Sequence, residues 1–122
     1  MITFDTGALI AIERRNLRAL RLFAQAVDDD VLIVVPSVVV AEWWRARTDV
    51  RDALLRSVVV EHTDDELLKL AGLAQAAVAG ATTIDAIVMA SAARRGGVVY
   101  TSDVEDLERL RAFFPAVEVL AA

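Results

Sequence analysis

Short, continuous apolar runs recur along the chain and alternate with longer amphipathic segments. Runs rich in β-branched and aromatic residues are typical of strands covered on both faces of a sheet. The predicted strands cover residues 2–4, 31–35, 58–62, 98–101 and 117–120. Helical spacing of apolar residues predicts helices over 8–12, 16–27, 38–47, about 63–78, 82–95 and 102–113, with a short helix at most over 51–56. This alternation predicts an α/β domain with a parallel sheet and right-handed crossovers.

Two of the predicted helices begin with capping signals. Thr63 and Glu66 have the spacing of a capping box, in which a hydroxyl and a carboxylate satisfy free N–H groups of the first turn. Asp85 likewise lies three residues after Thr82, a predicted N-cap. The helix dipole alone therefore gives Asp85 a structural role.

The composition is that of a globular protein, and we expect one domain over residues 1–122. Apolar residues make up 57% of the chain and the mean hydropathy is +0.49. Polar residues nevertheless interrupt every apolar run before it reaches the roughly 20 residues of a membrane-spanning helix. The chain has no cysteine, and its start shows no leader signal, so we expect a cytoplasmic protein that does not associate with a membrane.

Two acids directly follow predicted strands. Asp5 comes after the run 2–4 and Asp103 lies just after the run 98–101, each beside a Thr or Ser and before a helix. In open α/β sheets the ligand crevice lies outside the carboxyl ends of the strands, so both acids are well placed for chemistry. Asp is also a common helix cap, and for Asp5 a purely structural role is an equal alternative.

Two further acids lie in helices that are otherwise mostly apolar. Glu42 is flanked by apolar residues on both sides, and Asp85 is the only acid of its helix. Four converging carboxylates, without cysteine and with a single histidine, His62, favour Mg²⁺ or Mn²⁺ over Zn²⁺. Such a cluster supports hydrolysis of a phosphodiester, because a bound ion lowers the pKa of the attacking water and neutralises developing charge.

Four segments, taken in order, resemble the motifs of PIN-domain ribonucleases, and specifically of VapC-type toxins of bacterial type II toxin–antitoxin pairs. They are FDTGALIA at 4–11, SVVVAE at 37–42, DAIVMASA at 85–92 and TSDVEDL at 101–107. The resemblance implies a three-layer α/β/α sandwich with a five-stranded, mostly parallel sheet. It also implies endonucleolytic cleavage of RNA with Mg²⁺ or Mn²⁺, a homodimer, and a cognate antitoxin whose tail occupies the active site.

By position, the resemblance makes Asp5, Glu42, Asp85 and Asp103 the catalytic and metal-binding acids. It makes Asp106 an accessory acid.

Two positions depart from the family pattern. Gly7 stands where a small polar residue is usual, which we expect to loosen the hydrogen bonds around Asp5. Leu107 stands where an aromatic residue is usual, and we expect this to change packing only.

The partners implied by the resemblance fit the high apolar content. We expect part of the apolar surface to form a homodimer contact and another part to form a groove for the antitoxin. The helices over 8–27 and the helix with Trp43 and Trp44 are the candidate linings of that groove.

The net charge of −5 argues against a protein that coats nucleic acid through bulk positive charge. Its few cations must therefore be concentrated where an RNA backbone runs. Arg45 is the first candidate for RNA contact, because it lies within one helical turn of Glu42. Arg14 and Arg15 are the next pair, whereas the arginines at the far end of the Asp85 helix are roughly 15 Å away along its axis.

Two other functional classes remain open. A phosphotransfer domain or a dehalogenase-like phosphatase also places an Asp after its first strand. The first needs a Lys late in the chain, where this chain has only Lys69 in its middle, and the second needs an Asp where Gly7 stands. The other alternative is a catalytically silent PIN-fold interaction module, in which inactivity would have to come from geometry.

Overall fold

The computed structural model describes residues 1–95 and 97–122. Gly96, near the predicted end of the Asp85 helix, lies outside the described residues. Five strands fall within these ranges: β1 (Ile2–Phe4), β2 (Ile33–Pro36), β3 (Val59–Glu61), β4 (Val98–Thr101) and β5 (Glu118–Ala121). The same ranges hold seven helices: α1 (Thr6–Glu13), α2 (Leu17–Asp28), α3 (Ser37–Trp43), α4 (Asp49–Ser57), α5 (Asp65–Ala77), α6 (Thr83–Arg94) and α7 (Val104–Leu110). None of these helices is both long enough and apolar enough to cross a membrane.

The strands form a parallel sheet in the order β3-β2-β1-β4-β5. β1 is central, with Ile2 level with Ile33 of β2 and with Val98 of β4. The chain adds β2 and β3 on one side of β1 and then β4 and β5 on the other. Because the winding reverses at β1, the carboxyl ends of β1 and β4 border a crevice.

Helix α6 is the most deeply buried of the described helices. Its residues from Ala86 to Ala92 are each 2% exposed or less, and the helix packs on β1, β2 and β4. Its small side chains permit this close approach. On the sheet, the rings of Phe4 and Tyr100 lie 5.4 Å apart between centroids. The predicted α/β sandwich is therefore confirmed.

The helix predicted over 38–47 is shorter than expected. It ends at Trp43, and a loop separates it from α4. Thr48 caps α4, since its hydroxyl accepts a hydrogen bond from the backbone N–H of Arg51 at 3.1 Å. This N-cap explains why α4 is longer than the short helix that the sequence predicts at most over 51–56.

The predicted capping box at α5 is wrong, because Asp64 and not Thr63 is the N-cap. The Asp64 carboxylate accepts from a first-turn backbone N–H at 2.8 Å and from two nitrogens of Arg94 at 3.1 and 2.9 Å. Because the Asp64 carboxylate binds both the helix N–H and the Arg94 guanidinium, it is a better N-cap than the hydroxyl of Thr63. At α6, Thr82 caps the helix and accepts from the backbone N–H of Asp85 at 3.2 Å, as predicted.

One buried hydroxyl gives a prediction about the core. Tyr100 is 1% exposed, its hydroxyl has no hydrogen-bond partner among the described residues, and burial raises the pKa of the phenol. We expect Tyr100→Phe to leave the free energy of unfolding unchanged or to raise it by about 1 kcal/mol, because an unsatisfied group is removed. Urea denaturation measures the change. Thr101→Val, which deletes a bonded hydroxyl from the same strand, should cost about 1–3 kcal/mol; an equal loss for Tyr100→Phe would contradict this account of the core.

Candidate functional site

An acidic pocket of about 290 Å³ opens at the carboxyl ends of β1 and β4. All four acids of the predicted quartet and the accessory acid line it. The lining residues are Asp5, Thr6, Gly7, Glu42, Thr82, Ile84, Asp85, Ser102, Asp103 and Asp106. The fold thus brings together carboxylates that are up to 101 positions apart in sequence, from Asp5 to Asp106.

Asp5 is both the N-cap of α1 and a residue that lines the pocket, so its role as a cap does not take it out of the pocket. It is 6% exposed, and one carboxylate oxygen accepts from the backbone N–H of Ala8 at 2.9 Å. The other oxygen accepts from the hydroxyl of Thr101. Burial raises the pKa of Asp5 to about 6, against the lowering effect of these two hydrogen bonds, and the charges of Asp85 and Asp103 raise it further.

Thr101 connects the two acids that follow strands. Its hydroxyl donates to Asp5 and accepts from the backbone N–H of Asp103 at 2.8 Å. Thr101 is fully buried at the end of β4, so this bridge is fixed by the sheet. From the sequence alone, Thr101 belongs to a motif but has no assigned role.

Asp85, Asp103 and Asp106 form the tightest group of acids in the pocket. One oxygen from each lies within 4.8 Å of the others. Burial raises the pKa of Asp85, and the charges of Asp106 and Glu42 add to the effect. The pKa of Asp103 is raised first by a hydrogen bond with the Asp106 side chain. These carboxylates therefore favour a shared proton or cation.

Glu42 lies on α3 at the exposed rim of the pocket. The hydroxyl of Thr6, in the first turn of α1, donates to its carboxylate. This hydrogen bond orients the flexible Glu42 side chain, and the charge of Glu42 helps to raise the pKa of Asp85.

Gly7 does not loosen the hydrogen bonds around Asp5, contrary to the expectation from sequence, since both Asp5 oxygens have donors. A Cβ at Gly7 would lie 3.2 Å from the backbone nitrogen of Ser102 and would overlap its hydroxyl. Ser102, itself a lining residue, therefore occupies the space that a side chain at position 7 would fill.

Arg109 is a cation at this site that sequence analysis missed. Its guanidinium pairs with Asp106, and its charge lowers the pKa values of Asp85 and Asp103 against the other effects on them. The spacing of three residues from Asp106 on one helix was the available signal.

The arginines predicted to contact RNA divide between two neighbouring surfaces. Arg14 and Arg45 line a second pocket of about 440 Å³, which also includes Glu42 and so adjoins the acidic pocket. Arg15 lies elsewhere, in a groove with Ile12.

Glu13 lines the second pocket and holds two of its other lining residues. Its carboxylate accepts from Arg51 Nε at 2.6 Å and from the indole N–H of Trp43 at 3.3 Å. Arg51 also donates to the carbonyl of Ala46 at 2.8 Å, which fixes the loop that carries Arg45.

The acidic pocket fits a hard divalent cation. Carboxylate and hydroxyl oxygens dominate its polar lining, and neither histidine nor cysteine is among the residues that line it. This donor set is the one that Mg²⁺ and Mn²⁺ prefer. The raised pKa values of three of the acids mean that their ionised forms are disfavoured in this pocket, and a bound cation would favour them.

Comparisons with known proteins give matches among solved structures. No family model matches the chain, and no curated protein matches it. A structure of FitAB bound to an IR36 DNA fragment contains a chain with TM-score 0.73 and 16% identity, covering 99% of this chain and 94% of that one. A crystal structure of VapBC2 from Rickettsia felis, bound to a DNA fragment from their promoter, contains one with TM-score 0.75 and 14% identity, covering 100% and 99%. At these identities the likeness is one of fold.

The raised pKa of Asp5 predicts a pH dependence of stability. The Asp5 carboxyl holds a proton up to about pH 6 in the folded state but only up to pH 3.8 when unfolded. Its contribution to the free energy of unfolding is therefore full below pH 3.8 and is lost as the pH rises through 6. Asp5→Asn removes this titration and retains an oxygen for the cap. We expect it to raise the free energy of unfolding of the metal-free protein at pH 7 by up to about 3 kcal/mol, and to change it little near pH 4.

Urea denaturation from pH 4 to 8 with a chelator present measures the difference between wild type and Asp5→Asn. Asp28→Asn, at an exposed position at the end of α2, is the matched control. A difference between wild type and Asp5→Asn that does not change with pH would show that Asp5 does not titrate as described.

The contact between Gly7 and Ser102 predicts a compensating pair of substitutions. Gly7→Ser should lower the free energy of unfolding by about 1–3 kcal/mol, because it overpacks the junction of α1 and β4. Combining it with Ser102→Gly should restore most of that loss. A double-mutant cycle by thermal unfolding measures the coupling, and additive effects would mean that the two positions do not compete for space.

Proposed function

We propose, from the premise that the chain has the fold of a VapC-type PIN domain, that it is a metal-dependent endoribonuclease and the toxin of a toxin–antitoxin pair. The observation that carries this proposal is the convergence of five carboxylates in one pocket at the carboxyl ends of β1 and β4. A surface with that much negative charge repels a phosphodiester unless a divalent cation lies between them.

Asp85, Asp103 and Asp106 would hold the cation most directly, since their oxygens lie closest together. Asp5 would be a further ligand with a fixed orientation, held by Ala8 and Thr101. A bound Mg²⁺ or Mn²⁺ lowers the pKa of the attacking water and neutralises charge on the phosphate.

Glu42 would complete the set from the rim, directly or through a water molecule. Its hydrogen bond from Thr6 keeps the carboxylate near Asp85.

The substrate strand would be held by cations beside the acidic pocket. Arg14 and Arg45 support this role, because their pocket shares Glu42 with the acids. Arg15 is a weaker candidate than Arg14, since it lies in the other groove. Arg94 and Arg95 pair with Asp64 and Glu61, which supports leaving them out.

A cognate antitoxin would bind an apolar groove of about 280 Å³ between α1, α2 and α4. Its apolar lining includes Ile12, Leu20, Phe23, Val50 and Leu54. The similar structures are named FitAB and VapBC2, and both are bound to DNA. This supports a protein partner for this chain, and DNA binding by the complex of the chain with that partner. The helix with Trp43 and Trp44 is less suited as a lining than the sequence suggests, because Trp43 is 3% exposed and faces the other pocket.

We also propose that the protein is a homodimer in the cytoplasm. Leu68 and Leu73 on α5 are 43% and 62% exposed, and such residues favour contact with another chain.

The alternative functions have less support. Lys69, which a phosphotransfer site would need near its Asp, lies on α5 and is not among the residues that line the acidic pocket. A silent module would need its acids to diverge, and the convergence of the five carboxylates weighs against that.

The test of the proposed activity is a pair of isosteric neutralisations. Asp85→Asn and Asp103→Asn should each lower metal-dependent cleavage of labelled single-stranded RNA by a factor of about 100 or more, because losing a ligand weakens charge stabilisation of the transition state. Asp65→Asn, in the exposed first turn of α5, changes the net charge equally and should leave cleavage unchanged. If Asp85→Asn kept full activity, Asp85 would have no catalytic role and would act only in the first turn of α6.

A further inference from the structure

We propose that Arg109 binds a phosphate of the RNA, so that the strand is held on both sides of the acidic pocket. This inference rests on the proposed ribonuclease function. It adds to Arg14 and Arg45 a cation that lies on the other side of β1.

The position of Arg109 follows from two contacts. One guanidinium nitrogen, Nη2, pairs with Asp106, which lines the acidic pocket. Another, Nη1, would lie 3.5 Å from a Cβ at Gly80, in the turn that leads to Thr82. Gly80 has a φ of +79°, a conformation that glycine adopts without strain. The guanidinium therefore lies between α7 and this turn, at the edge of the acidic pocket.

The strand order separates Arg109 from the other cations. Glu42, shared with the Arg14 and Arg45 pocket, is on α3 and follows β2. Asp106, paired with Arg109, is on α7 and follows β4. β1 lies between β2 and β4, and two strand spacings amount to roughly 10 Å. A single RNA strand that crosses the carboxyl ends of β2, β1 and β4 would meet a cation at each end of its path.

The pair between Arg109 and Asp106 is not explained by stability. The two side chains are 55% and 38% exposed, and ion pairs this open to solvent contribute little to folding. Arg111 and Glu108 form a pair of the same spacing with similar exposure, 43% and 41%, but neither lines the acidic pocket. What distinguishes Arg109 is its place beside the acids.

The chemistry of the guanidinium suits a phosphate. Among the described residues, the hydrogen bonds of Arg109 use Nη2 alone, which leaves further N–H donors in a planar fork. An incoming phosphate must approach five carboxylates, and a fixed positive charge at the edge of the pocket offsets part of that repulsion.

The experiment compares Arg109→Ala with Arg111→Ala, its matched control at the C-cap of the same helix. Binding of a labelled single-stranded RNA is followed by fluorescence anisotropy in Ca²⁺ over a salt titration, and the RNA is checked to be intact on a gel. We expect Arg109→Ala to weaken binding about tenfold at low salt and to reduce the salt slope by about 0.7, the value for one lost contact to a single strand. Arg111→Ala should stay within about twofold of wild type, and Arg109→Lys should recover part of the affinity because it keeps the charge.

Further readouts separate phosphate binding from an effect on the cation or on folding. KM for RNA cleavage should rise in Arg109→Ala while kcat changes little, and circular dichroism should match wild type. Combining Arg45→Ala with Arg109→Ala should give additive losses of RNA affinity, since the two cations are separate contacts.

Three outcomes would overturn the inference. One is an RNA affinity and salt slope of Arg109→Ala equal to those of Arg111→Ala. Another is a change in Mn²⁺ affinity, measured by calorimetry, that exceeds the change in RNA affinity, which would make Arg109 a residue of the metal site. The third is a wild-type protein that neither binds nor cleaves RNA, which would overturn the proposed function as well. If wild type cleaves RNA and Arg109→Ala behaves as its control does, the proposed function stands and only the role of Arg109 is refuted.

Discussion

Repulsion among carboxylates is the constraint around which this fold is arranged. Five acids share one pocket, three of them with oxygens within 4.8 Å of each other. The structure offsets this cost with hydrogen bonds whose donors are themselves fixed by the sheet or by helix starts. Thr101 at the end of β4 and the backbone of Ala8 hold Asp5, and Thr6 holds Glu42. Burial, with a smaller contribution from the charges of Asp85 and Asp103, leaves the pKa of Asp5 raised to about 6, so a cation would stabilise the fold with its acids ionised.

The sequence was sufficient to predict the architecture and the convergence of the acids. Asp5 and Asp103 could be found because each follows an apolar strand, and parallel strands bring such positions to one edge. Glu42 and Asp85 depended more on the family resemblance, since a lone acid in an apolar helix has several explanations. The roles of these residues in catalysis remain predictions.

What the sequence could not show are the contacts that act between distant positions. Thr101 acts on Asp5 across 96 positions, and Ser102 fills the space beside Gly7 from the opposite end of the chain. No local pattern contains such pairs. The errors in helix starts have a different cause. At 63–64 two adjacent residues are good caps, and the choice between them was decided by Arg94, 30 positions later.

The contact between Gly7 and Ser102 also bears on how such a pocket can change over generations. With Ser102 in its present conformation, a side chain at position 7 overlaps its hydroxyl, whereas glycine at both positions makes no such contact. A lineage that exchanges one arrangement for the other through single substitutions therefore passes more readily through the form with two glycines. Geometry therefore favours one order of the two steps, in which the existing side chain is lost before its counterpart on the facing element is gained.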